Sequence, residues 1–275
     1  MAHRLHERAC HRSFRVLRTS PFFIMKQLLP TIVLVGALLA PALQAQEEKA
    51  PTVDQLVAKN VEAKGGAGAL QALQSIKMTG KLLVNSGQLE FGYTETRKKP
   101  NVVRTEYSLQ GMTAVNAFDG NEGWKISPFQ GRKDPEKMSA DDAKALMEDS
   151  EVDGPLTDWK EKGSTVEYLG TEDVDGTLAH KLKVTRKNGD VSFVYLDPEH
   201  FLEIRILTQR VERGAQVEVE TDLSDYERVN GVFVPFSLES GRKGDPDKQK
   251  LVLEKVDGNV PIEDSAFRFP TTSSK

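Results

Sequence analysis

Cysteine is almost missing from this 275-residue chain: the single one is Cys10. Residues 46–275 hold none and so form no disulfide, whatever the redox state of their compartment. Histidine is nearly as scarce, with only His180 and His200 beyond residue 45. His180 alternates with Leu178, Leu182 and Val184 and reads as a partnered residue of a half-buried strand, and His200 follows a turn. No cluster with zinc spacing exists, and the chain lacks a Gly-x-Ser-x-Gly elbow, a P-loop and a dinucleotide fingerprint. Asp149, Glu151, Asp153 and Gly154 begin like a calcium loop, but the twelfth position, which must supply a bidentate carboxylate, is Lys160. These absences remove the usual supports for catalysis, so no catalytic residue, cofactor or metal is expected.

Long apolar runs are missing too. The longest, Leu28 to Leu39, is interrupted by Pro30 and Thr31 and is shorter than the roughly 20 residues that span a bilayer. Met25-Lys26-Gln27 precedes it, and the small residues of "APALQA" follow before the acidic "QEEK". This is the layout of a cleavable secretory signal peptide. Cleavage is expected after Ala45, with Ala42 as the alternative, which divides the chain into residues 1–45 and a mature domain over 46–275. Met25 is the expected initiator, with residues 1–24 an upstream extension. No cysteine stands at the cleavage point to receive a lipid, and the expected location is the periplasm.

Positive charge is in short supply once that segment is set aside. Residues 46–275 carry 31 Lys and Arg against 40 Asp and Glu, a net charge of −9. A domain with that balance is a poor candidate for binding nucleic acid or anionic lipid surfaces by charge alone.

What is present is β-pattern. Thr52-Val53-Asp54-Gln55 forms a capping box, and Val53, Leu56, Val57 and Val61 share one helical face. Gly65-Gly66 stops that helix, and Ala67 to Leu73 adds two turns with Leu70 and Leu73 on one side. Ser139 caps a second short helix over 140–149. Elsewhere about twelve strands alternate with hairpin-length turns, which makes neighbours antiparallel. The pattern predicts a mainly β domain with a short helical lid. Its single, strongly curved antiparallel sheet would form an incomplete, half-open β-barrel.

Several strands carry apolar residues in excess. Phe91 and Tyr93 share a face, as do Phe193 and Tyr195, and Ile204 and Ile206 line another strand; Trp124 follows a turn. Two outcomes are open: a dry, filled core, or a concave face left partly empty for an acyl chain. Under the second, Phe91, Tyr93, Phe193, Tyr195, Ile204 and Ile206 are the cavity candidates.

The segments "LVAKNVEAKGGAGALQALQSIKMTGKL", "TRKKPNVVRTEY", "AFDGNEGW", "YLGTEDVDG", "DYERVNGVFVPFSLES" and "IEDSAFRFP" occur in an order that resembles the LolA-like superfamily of outer-membrane lipoprotein-sorting proteins. The resemblance covers residues 53 to 269, and it matches Asp119-Gly120 and Trp124 to the family's turn followed by Trp, which implies either a cavity-lining or a plain core role for Trp124. It implies an eleven-stranded unclosed barrel that holds lipoprotein acyl chains or other lipid in transit across the periplasm. It also implies a monomer working between an inner-membrane transporter and an outer-membrane acceptor. The alternative on the same scaffold is a sensing module that binds lipoprotein or lipid and regulates a partner protein. The lid would comprise Leu56, Val57, Leu70 and Leu73, hinged at Gly65 and Gly66. The family's Arg-Pro-Asn, whose arginine helps hold the lid shut, is matched here by Lys99-Pro100-Asn101. Lysine offers a flexible point charge in place of a planar fork.

Overall fold

The computed structural model describes residues 50–270 except 213. The signal-peptide reading and the extension before it lie outside the described residues.

Two helices open the domain. α1 (Val53–Ala63) begins at the capping box, with the Thr52 hydroxyl accepting from the Gln55 amide and the Gln55 side chain accepting from Thr52 N–H. α2 (Ala67–Ala72) follows after Gly65 and Gly66, both at positive φ. Thirteen strands come next. β1 (Ser75–Val84), β2 (Leu89–Lys98), β3 (Val102–Leu109), β4 (Met112–Phe118), β5 (Gly123–Ser127) and β6 (Arg132–Lys137) form one meander. α3 (Ala140–Asp149), capped by Ser139, and an irregular segment over 150–164 then cross the molecule. β7 (Thr165–Val174), β8 (Thr177–Thr185), β9 (Val191–Leu196), β10 (Glu203–Glu212), β11 (Ala215–Val229), β12 (Val232–Arg242) and β13 (Gln249–Gly258) form a second meander.

One antiparallel ladder, β1 on β13, welds the meanders into a single sheet of order β6-β5-β4-β3-β2-β1-β13-β12-β11-β10-β9-β8-β7. β6 and β7 are its two ends and do not pair, so the barrel stays open as the pattern predicts. Among the described residues the strand number is thirteen, one more than the alternation suggests and two more than the resemblance implies.

The helices and the crossing segment cover one face at one end of the sheet. Leu56 and Val57 of α1 are buried with Leu156 against Leu182, Val184, Val194 and Leu196 of β8 and β9. Leu70 and Leu73 pack on Val232, with Val152 from the crossing segment alongside. Val152 also reaches the cluster of Ile76, Met78, Tyr93 and Leu253 at the centre of the sheet. This is the inner face; alternation sends the neighbours of these strand residues to the other side.

Polar ties fasten the cover more firmly than the sequence suggests. Lys64, at the end of α1, donates to Glu203 Oε1 at 2.9 Å and to the Asp153 carbonyl at 3.1 Å, and both side chains are buried. Asn60 donates to the Phe201 carbonyl, and the Phe233 amide donates to the Lys64 carbonyl. Lys99 donates to the Leu70 carbonyl at 2.9 Å while pairing with Asp153. The expected hinge is also pinned. A Cβ on Gly65 would lie 2.1 Å from the Gly231 carbonyl oxygen, so the backbones touch there, whereas Gly66 faces open space. Gly65 is therefore a close-approach glycine, and the pair is not a free pivot.

Replacing Gly65 by Ala should cost more than the roughly 1–3 kcal/mol of an unfavourable backbone conformation alone, because the Gly231 strand must also move. Gly66→Ala should lose no more than that amount. Thermal unfolding of the two variants tests this, and equal losses would refute the pinned approach at Gly65.

Candidate functional site

The sheet register builds a floor on the inner face. Leu223 of β11 is paired with Leu238 of β12, which is paired with Leu251 of β13, then Leu82 of β1, then Phe91 of β2. Five adjacent strands thus contribute one continuous apolar row. A second row runs beside it: Val194, Ile206, Thr221, Ser240 and Gln249, one from each of β9 to β13. Its members turn polar towards β13, and Thr221 and Ser240 share a hydrogen bond of 2.9 Å. The floor is therefore amphiphilic, with an apolar stripe against a hydroxyl and amide stripe.

Above it lies a cavity of about 350 Å³. The four leucines, Tyr93, Tyr107 and Ile206 line it, as do Ser192, Thr208, Thr221, Ser240 and Gln249. Its far wall is ionic. Arg97 donates to Glu95 at 2.6 Å and to the Glu151 carbonyl, while the Tyr93 hydroxyl donates to Glu95 at 2.6 Å. Arg186 grips the Glu151 carboxylate through both nitrogens, at 2.7 and 3.1 Å. Ser192 Oγ is buried in the wall without a hydrogen-bond partner.

α3 closes one flank. It packs on β4 and β5 at one side, where Ala143 meets Gly123, and reaches β10 at the other. Lys144 donates to Asp190, and Glu148 lies 3.7 Å from Arg210. Burial and a hydrogen bond with Asp190 push Glu148 up to about 7, against the pull of Arg210. Asp153, beside this wall, behaves oppositely: burial opposes its ionisation, but Lys162 and Lys99 outweigh burial and hold it below the usual range. Those two ammonium groups fill the space where the sequence hinted at a calcium loop.

The expected cavity residues divide by face. Tyr93 and Ile206 line the cavity, and Phe91 ends the apolar row at its rim, packed edge-on against Phe129 at 5.5 Å. Trp124, Phe193, Tyr195 and Ile204 are corrected to the outer face. Trp124 is buried with Val115 and Ala117 beneath Phe269, and its indole N–H donates to the Phe267 carbonyl. Phe193 and Tyr195 lie under the Lys181 ammonium and pack with Leu207 and Ile204. A register shift between Glu203 and Arg205 frees Ile204 from strict alternation with Ile206. The leucine row and the ionic wall escaped the sequence reading because both depend on cross-strand register.

The two histidines have partners. His180 accepts or shares a hydrogen bond with the Tyr168 hydroxyl and stacks on Phe201, and burial, with Lys59 nearby, lowers its pKa. His200 sits in a turn on Asp197.

With this geometry in place the chain can be set beside known proteins. No family model matches the sequence, and no curated protein matches it significantly. Solved structures do match in shape. A DUF1329 family protein from Desulfovibrio piger superposes with a TM-score of 0.55 at 12% identity, covering 80% of this chain and 98% of the other. A LolA superfamily protein from Nitrosomonas europaea gives 0.54 at 12% identity over 80% and 98%. A putative outer membrane lipoprotein-sorting protein domain from Vibrio parahaemolyticus gives 0.53 at 12% identity over 78% and 97%. The chain has a LolA-like fold.

Glu148 offers a pH test of the ionic wall. Its raised pKa means the folded state binds more protons than the unfolded chain between the ordinary carboxylate range and about 7, so this group's contribution falls as pH rises through that window. Glu148→Gln removes the penalty. Its melting temperature should exceed the parent's by a few degrees at about pH 8, and the gain should vanish at about pH 4. A gain that is the same at both pH values would refute the buried-acid assignment.

Proposed function

We propose that this protein is a periplasmic carrier that shelters the acyl chain of a lipoprotein or another lipid in the cavity above the leucine row. The carrying observation is the row itself: Leu223, Leu238, Leu251, Leu82 and Phe91 make an unbroken apolar track across five strands on the floor of an unfilled cavity. An acyl chain is a long apolar object of that form, and each buried methylene contributes about 0.8 kcal/mol. The adjacent hydroxyl stripe and the unpartnered Ser192 hydroxyl suit the polar end of an amphiphile. The fold agrees with this reading, since one solved protein sharing it is described as a lipoprotein-sorting domain.

At about 350 Å³ the cavity is near the lower end of the roughly 300–1,000 Å³ range of small-ligand sites. It takes a single chain or part of one; a larger load requires the walls to part. The α1–α2 cover is the costly wall to move. Breaking the buried Lys64–Glu203 pair costs about 3–5 kcal/mol where no new partner replaces it. The chain therefore enters at the opposite, hairpin end, where Gln249 both lines the cavity and is exposed.

A fluorescent fatty-acid probe should bind the wild-type protein, and Leu238→Asp should weaken it at least about tenfold by setting an unpaired carboxylate in the track. Leu178→Asp, at an exposed site on β8, should leave affinity unchanged. Absence of binding to the wild type, or equal loss in both variants, would overturn the assignment.

A further inference from the structure

The turns that surround the open end of the cavity differ in character from those at the covered end. Four of the six exposed large hydrophobic side chains among the described residues sit there: Leu89, Met112, Phe129 and Val211. Leu89 and Met112 each begin a strand at a hairpin tip, and alternation places both on the same face as Tyr93 and Tyr107. Phe129, 40% exposed, lies in the short 3₁₀ turn between β5 and β6 and folds onto Phe91. It thereby extends the apolar row from the cavity floor to solvent.

Charge follows the same axis. Exposed Arg132, Lys133, Lys187, Arg242, Lys243 and Lys250 lie in or within two residues of the described turns at this end, against exposed Glu90, Asp245 and Asp247. Counted the same way, the hairpin turns at the covered end lean the other way, with exposed Asp173, Asp175 and Glu199 against Arg228. A chain whose residues 46–275 carry a net charge of −9 thus gathers an excess of base around one opening. Apolar tips surrounded by bases match a bilayer with anionic headgroups, where apolar insertion and attraction to surface charge add.

We propose that the hairpin end is a membrane-docking surface, through which the cavity's apolar track is laid against an anionic lipid leaflet. The purpose of docking rests on the carrier reading, since an acyl chain would then pass between leaflet and cavity without crossing water. The docking surface itself stands on the exposed tips and the charge polarity. Phe129 is the point where the two meet. It touches the end of the track on one side and solvent on the other.

The test uses the full mature chain with two kinds of vesicle: phosphatidylcholine alone, and phosphatidylcholine with about 30% phosphatidylglycerol. Co-sedimentation should favour the anionic vesicles at least about tenfold, and raised salt should weaken it. A triple variant, Leu89→Ser, Met112→Ser and Val211→Ser, should lose most vesicle binding while keeping the fatty-acid probe affinity in solution. A charge variant, Lys243→Gln with Lys250→Gln, should weaken binding to anionic vesicles only. Vesicle binding that is absent, or unchanged in the triple variant, would overturn the docking surface, and recognition of a protein partner alone at this end would give that result. Loss of probe binding by the wild-type protein would instead overturn the carrier reading, so the two failures are distinguishable.

Discussion

The ladder between β1 and β13 is the constraint on which the rest depends. Every other strand pairing joins neighbours in sequence, while this one joins the start of the domain to its end. Without it there are two separate meanders, each with one apolar face and nothing to oppose it. With it, Leu82 lands beside Leu251 and the apolar row becomes continuous. A register shift between Thr79 and Gly80 marks this ladder, and a Cβ on Gly80 would lie 2.1 Å from the Val252 carbonyl oxygen. The absence of a side chain there permits the bulge, and bulges bend and twist the strand that carries them. Such long-range pairing forms against loop-closure entropy.

Once the sheet is joined, its two ends have different energetics. At the covered end apolar clusters around Leu56, Leu70 and Val152 are locked by Lys64–Glu203, Asn60–Phe201 and Lys99–Leu70. At the hairpin end the cavity wall is formed by strand ends, tied across strands by pairs such as Lys248 with Glu220 and Asp222. Between them the ionic wall of Glu95, Arg97, Glu151 and Arg186 separates the greasy floor from the crossing segment. Internally paired charges of this kind exclude a second apolar surface and so keep the track one-sided.

Much of this architecture was legible in residues that act locally. The capping box at Thr52, the stop at Gly65 and the Ser139 cap each rest on interactions within a turn of helix, and all three appear where the pattern places them. Hairpin turns likewise showed that strands are antiparallel. Faces were another matter. Alternation separates Phe193 from Val194 but does not say which looks inward; that is decided when Val194 meets Leu56 of a distant helix. Trp124 looked like a cavity residue because its outer-face pocket is built by Phe267 and Phe269, more than a hundred residues away. Ile204 was misplaced by a register shift that no composition rule reveals. The ionic wall was invisible for the same reason, since its acids and bases come from β2, β8 and the crossing segment and look like scattered surface charges in the sequence.

The claim that an acyl chain lies along the leucine row is most directly tested by isotope-filtered NMR on leucine-methyl-labelled protein with a carbon-13 fatty acid. The account predicts contacts from the chain to Leu82, Leu223, Leu238 and Leu251. Contacts confined to the outer-face Leu207 or the exposed Leu178, or none to any leucine of the row, would contradict it.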